Sequence, residues 1–121
     1  MKLHGEEHRD SLREANNYAA DLSDLQRHAE AKSLLRKTMP VARRVLDESD
    51  ELTLMFRRNY ARALFLDDSA TLDDLREAVT MLEDARRVAR RVHGGSHPDT
   101  MWIEGDLQNA QAALRARDTS V

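Results

Sequence analysis

Cysteine is absent from the chain, which excludes a disulfide framework and any thiolate metal site. Aromatic residues make up only 4% of it, and strand-forming Val, Ile and Thr are not abundant enough to replace them in a sheet. Nowhere does an apolar run approach the roughly 18 residues of a membrane-crossing helix. The opening MKLHGEEHRD also lacks the apolar stretch of a signal peptide. A soluble, cytoplasmic protein with no membrane contact is therefore expected. Charge of one sign is not in excess either: the net formal charge is −3 and the pI near 5.9, with no basic tail. That balance does not suit a surface built to neutralise many phosphates, so nucleic acid is not expected as a partner.

What remains is the composition of helices with one wet face. Ala, Leu, Arg, Glu and Asp dominate, 34% of residues are charged, and there are only four Gly and two Pro in 121 residues. Such a length fits one domain, residues 1–121, with a single modest core.

Self-similarity decides the architecture. LHGEEHRDSL at residues 3–12 matches VHGGSHPDTM at residues 92–101, an offset of 89, and a degenerate copy, VLDESDELTL, lies at residues 45–54. The first interval is 42 residues and the second 47, so the repeat is about 42 long with five residues added near Ser69–Asp73. Loops accept such insertions at small entropic cost. The same register pairs Asn17-Tyr18-Ala19 with Asn59-Tyr60-Ala61. It also sets Ala31, Leu35, Thr38, Ala42 and Val45 opposite Ala78, Leu82, Ala85, Ala89 and Val92, each set spaced four, three, four, three. That spacing is one apolar stripe on a helix.

Helices are expected near residues 9–24, 27–46, 50–67, 71–93 and 97–117. Acidic residues at His8–Asp10, Asp50 and His97–Asp99 suit helix N-termini, and Pro98 suits a first turn. Thr71 with Asp74 resembles a capping pair, and Gly94-Gly95 after Arg90, Arg91 and His93 is a stop signal. Pro40 lies inside the second helix and should bend it near Arg36–Met39. The expected fold is all-α: antiparallel helix pairs stacked as a short right-handed α-solenoid of two and a half repeats.

The HPDTM turn after ARRVHGG, the elements Asn16-Asn17-Tyr18-Ala19 and Arg58-Asn59-Tyr60-Ala61, and the spaced Ala31, Leu35, Thr38 and Ala78, Leu82, Ala85 carry a family resemblance. Over residues from Leu3 to about Leu114 the chain resembles the kinesin-light-chain kind of tetratricopeptide repeat, whose repeats are also about 42 residues long. The third copy departs, with Asp106-Leu107-Gln108 in place of Asn-apolar-Ala. Its apolar line Ile103, Leu107, Ala110, Leu114 is displaced from Leu12, Ala15, Ala19, Leu22, so the last helix is expected to act as a cap with a polar outer side. Met1–His4 align with the end of a second helix, which suggests a fragment of a longer array. Missing neighbours would then expose Leu3, Leu12 and Tyr18 and invite homo-oligomers through the repeat ends.

The resemblance implies a protein-binding scaffold that holds an extended peptide in a concave groove. The groove residues it implies are Arg13, Asn16, Asn17, Ala20, Arg58, Asn59 and Arg62. Asn17 and Asn59 align with groove asparagines, whose carboxamides can bond a peptide's donor and acceptor together, while Arg58 and Arg62 would favour an acidic segment. The structural alternative is that the two asparagines only satisfy neighbouring helices.

Other clusters carry less. The pairs His4/His8 and His93/His97 straddle glycine turns and lack a third ligand, so no metal is assigned. Arg86, Arg87, Arg90 and Arg91, echoed by Arg43 and Arg44, form a basic stripe that could meet an acidic partner or the phosphates of nucleic acid, the lesser alternative, and is most simply read as a solvated face. Asp67, Asp68, Asp73 and Asp74 do not have the spacing of an EF-hand. Without a phosphate loop, nucleophile elbow or cysteine, neither an enzyme nor a cofactor is expected.

Overall fold

The structure, a computed structural model, describes residues 4–119, with side chains from residue 9 to residue 118. The described residues form five helices and no strand: α1 (His4–Asp24), α2 (His28–Val45), α3 (Glu51–Phe65), α4 (Leu72–His93) and α5 (Pro98–Thr119). Helices α1, α3 and α5 touch in one layer, while α2 packs on α1 and α3, and α4 on α3 and α5. The all-α helix-pair solenoid expected from the repeat is what forms.

Local chemistry sets most boundaries. Thr71 and Asp74 close a full capping box on α4: the Asp74 N–H donates to the Thr71 hydroxyl at 3.1 Å, and the Thr71 N–H donates to Asp74 at 3.0 Å. Gly94, at φ 86°, ends the helix after three basic residues in its last turn. α1 ends in a Schellman turn, with the Arg27 N–H on the Leu22 carbonyl at 2.8 Å and the Gln26 N–H on Ser23 at 2.9 Å. Gln26 takes the left-handed position, φ 62°, usually given to glycine.

One sequence expectation needs correction here. Gly5 and His8 lie inside α1 and not in a turn ahead of residue 9. A lone glycine followed by Glu6 and Glu7, without the second glycine and the proline of the later copy, does not stop a helix. α2 runs uninterrupted through Pro40. Pro40 is exposed, so water can satisfy the carbonyl that loses its partner. The five added residues fall between α3 and the first turn of α4, as the register implied.

The stripes meet in the core. Ala31, Leu35 and Ala42 of α2 and Ala78, Leu82, Ala85 and Ala89 of α4 are buried, and Thr38 and Val45 are half-buried. Val92 departs, at 45% exposed, because it sits in the last turn of α4 beside the Gly94 break.

Comparing the three copies explains the displaced apolar line. α3 packs against α1, α2, α4 and α5 and buries two faces: Leu54, Ala61 and Leu64 on one, Thr53, Phe56, Tyr60 and Ala63 on the other. α1 buries only the first set, as Leu12, Ala19 and Leu22, and carries Ser11, Glu14, Tyr18 and Asp21 exposed at the second. α5 buries only the second set, as Thr100, Ile103, Leu107 and Ala110, and places Met101, Gln108 and Gln111 at the first. Leu12 is thus buried, contrary to expectation, because its face meets α2. Tyr18 is exposed as expected, and Leu3 lies outside the described residues. The faces of α1 and α5 turned away from α3 carry exposed Ser11, Glu14, Asp21 and Gln108 beside the exposed Tyr18 and Met101.

Candidate functional site

The repeat register places equivalent residues side by side across the α1–α3–α5 layer. Arg13, Met55 and Trp102 occupy one such row; Asn16, Arg58 and Gly105 a second; Asn17, Asn59 and Asp106 a third. The second and third rows lie three and four residues after the first, so they fall on the same side of the helices as it does.

Contacts between adjacent helices obey one geometry. Asn59 Nδ2 donates to Asn16 Oδ1 at 2.8 Å, joining α3 to α1. One repeat on, Arg58 Nε donates to Asp106 Oδ2 at 2.5 Å, joining α3 to α5 through the same two register positions. Arg62 Nη1 adds a second bond to Asp106 Oδ1 at 2.8 Å. The Asp106 side chain is only 6% exposed, and the Arg58 guanidinium also lies 5.4 Å from the centre of the Trp102 ring.

A further tie lies at one edge of the layer. Asp50 caps α3 by accepting the Leu52 N–H at 2.9 Å and takes the Arg9 guanidinium at 2.5 Å. That hydrogen bond from Arg9 is the main reason the Asp50 carboxyl is held below the ordinary carboxylate range, and Arg9 is pushed up in turn. Between α1 and α3 these residues border a groove of about 240 Å³ lined by Arg9, Arg13, Asn16, Asn17, Glu51, Leu52 and Met55. Behind it the Tyr60 hydroxyl accepts from Arg36 at 2.9 Å and donates to Glu77 at 3.1 Å. Burial pushes the Tyr60 phenol up.

Of the seven expected groove residues, Arg13 and Asn17 are exposed on this face and Asn16 is buried beneath it. Asn59 meets Asn16, not its register mate Asn17. Ala20 is half-buried and does not line the groove. Arg58 and Arg62 are not free cations: Asp106 binds both. Sequence reasoning passed over Arg9, Glu51, Leu52, Met55, Trp102 and Asp106 as site residues. The register itself was the available signal for Met55 and Trp102, which align with Arg13.

Several side chains of the other clusters pair among themselves or with neighbours on the same surface. His93 and His97 stack at 4.5 Å, and His97 Nδ1 accepts the Asp99 N–H at 3.1 Å, the bond Asp50 makes at the same register position in α3. No group of three or more metal-ligating residues is arranged for an ion among the described residues. The side chains of His4 and His8 lie outside the described residues. Arg86 and Arg90 reach Glu104 at 3.9 and 3.3 Å, and Arg87 pairs with Asp84. Asp67 organises its turn through Ser69, whose backbone N–H and hydroxyl hold the carboxyl low. No described helix is long and apolar enough to cross a membrane.

The sequence model of the tetratricopeptide repeat matches residues 15–50 and 69–99, more than half of the chain. Neither a curated protein nor a solved structure matches. The two matched segments carry α2 and α4 with the turns that follow them, the parts whose stripes coincide across the 47-residue offset. Repeats of this kind generally mediate protein–protein interactions and generally serve as scaffolds without chemistry of their own. Helix pairs in two layers, their register and the family match converge: the chain belongs to the tetratricopeptide repeat family.

Proposed function

We propose that the chain binds an extended peptide segment of a partner protein across the α1–α3–α5 face. The observation that carries this is the groove between α1 and α3, where exposed Arg13 and Asn17 stand beside Met55 over the Asn16–Asn59 amide pair. A carboxamide can bond a peptide's N–H and C=O at once, and a thioether adapts to varied apolar side chains. Arg58, Asn59 and Arg62 tie the helices of the face together through Asp106 and Asn16. The face resembles that of kinesin-light-chain repeats in its asparagines and differs in Asp106.

Selection of a displayed peptide library on the intact chain tests the reading. Peptides so obtained should lose about tenfold or more in affinity to the Asn17→Ala/Met55→Ala variant, the loss of one good hydrogen bond plus apolar contact. Undiminished binding by a variant with unchanged helical circular dichroism would remove the groove from consideration. Assembly through the repeat ends is the competing reading, and it rests on exposed Tyr18 and Met101, since Ser11, Glu14 and Asp21 on α1 and Gln108 on α5 suit those faces to water. Light scattering over a concentration series separates the two.

A further inference from the structure

We propose that Asp106 is the specificity determinant of this face: on its α3–α5 side, next to the α1–α3 groove, it is a built-in counter-ion that holds Arg58 and Arg62 and turns the face away from acidic peptides, toward segments anchored by an apolar side chain on Met55 and Trp102. This rests on the peptide-groove reading.

The argument begins with charge. Four arginines, Arg9, Arg13, Arg58 and Arg62, sit on or beside the face, and each has a carboxylate on it. Asp50 takes Arg9, Asp10 lies 3.7 Å from Arg13, and Asp106 takes the other two. Glu51, exposed at the groove wall, brings the acids to four. The face as a whole therefore offers an anionic segment no net attraction, whatever its arginine content suggests.

Geometry makes Asp106 the decisive member. Its carboxylate presents one oxygen to each guanidinium, at 2.5 and 2.8 Å, with its side chain 94% removed from water. A carboxylate from a ligand would have to displace a group that is covalently held in place, at an effective concentration no free peptide reaches. It would also leave Asp106 buried without a partner. At the same register position the other two helices carry the neutral Asn17 and Asn59. One atom type thus separates this interface from one whose arginines would meet an approaching ligand without a counter-ion.

With charge cancelled, the remaining attraction is apolar. Trp102 is 51% exposed, with Arg58 against its ring, and Met55 occupies the equivalent place on α3. A half-exposed indole backed by a fixed guanidinium is the kind of site where binding energy concentrates.

Trp102 is the chain's single tryptophan, so its fluorescence reports directly on this site. Fluorescein-labelled hexaglutamate, titrated at low salt, is the probe. Wild-type protein should show no saturable binding, while Asp106→Asn should bind at least tenfold more tightly, with a change in Trp102 emission. Adding Arg58→Gln and Arg62→Gln to that variant should abolish the gain. Wild type binding hexaglutamate as tightly as Asp106→Asn would overturn the proposal, as would a gain that survives removal of both arginines. Should Asp106→Asn fail to fold, Arg58→Gln/Arg62→Gln in the wild-type background decides: a wild-type affinity for hexaglutamate that depends on these arginines overturns it, and an unchanged absence of binding supports it. The peptide library separates the two levels. Acid-rich winners lost in Asn17→Ala/Met55→Ala sink this inference and keep the groove; winners indifferent to that variant sink the groove while the hexaglutamate result stands.

Discussion

Replacing Asp50 separates the two tasks of one carboxylate. Oδ1 caps α3 through the Leu52 N–H at 2.9 Å, and Oδ2 binds Arg9 on α1 at 2.5 Å. Loss of an N-cap acceptor costs about 0.5–2 kcal/mol, and a partly exposed ion pair contributes about 0–1 kcal/mol. Arg9 is 37% exposed and Asp50 20%, so water screens the pair and its share belongs in the lower half of that range. Asp50→Ala should therefore cost about 2 kcal/mol, and Asp50→Asn, which keeps a capping oxygen, less than about 1 kcal/mol. At roughly 4 °C per kcal/mol for a domain of this size, Tm should fall by about 8 °C for Ala and at most about 4 °C for Asn. Thermal and urea melts followed by far-ultraviolet circular dichroism measure both. The sign with pH follows from the depressed carboxyl. Stability from the pair is complete above the unfolded value near 3.8 and drains away as pH falls through the lower folded value. The gap between wild type and Asp50→Asn should hold from neutral pH down to about pH 5 and close only in stronger acid. Equal costs for Asn and Ala would refute the division between cap and ion pair, and a gap that closes above about pH 5 would refute the assignment to Asp50.

Leu35 and Leu82 are both fully buried at the same register position, and Leu→Ala at either should cost about 2–5 kcal/mol in urea melts; a loss under about 1 kcal/mol at both would refute the repeat register. Tyr60→Phe should cost about 0.5–1.5 kcal/mol, the net loss of its hydrogen bonds to the exposed Arg36 and Glu77, whereas Tyr18→Phe, at the equivalent exposed site, should be nearly neutral; equal effects would contradict the sandwiching of α3. Gly105→Ala should raise stability by up to about 1 kcal/mol, because the added Cβ meets nothing within 4 Å in a helix interior, and a lowered Tm would count against that open space.

How much of this was legible in the residues alone depends on the range of each signal. The stripe Ala31–Leu35–Ala42, its copy Ala78–Leu82–Ala89, the Thr71–Asp74 box and the Gly94 stop are each written within a turn or two of helix. Periodicity and capping chemistry act over that distance, so they survive without knowledge of the neighbours. The turn expected before residue 9 misjudged a local signal of the same kind, where flanking helix formers prevailed.

The face was legible only in outline. Which asparagine meets Asn59 depends on how α1 is rotated against α3, and one residue along a helix is a turn of about 100°. Asn16 and Asn17 therefore point to different surroundings, and Asn59 meets the one that is not its register mate. The partner of Arg58 and Arg62 stands 48 and 44 residues away, on a helix whose approach is set by packing. Likewise, Leu12 is buried and Tyr18 is not because α1 has neighbours on only some of its sides. By itself, then, the sequence determined the repeat, its helices and the apolar stripe of each, since short-range periodicity encodes them. Only the tertiary structure decided which polar groups meet, and with them the charge the face presents, because those contacts depend on the rotation and spacing of helices that no local pattern contains.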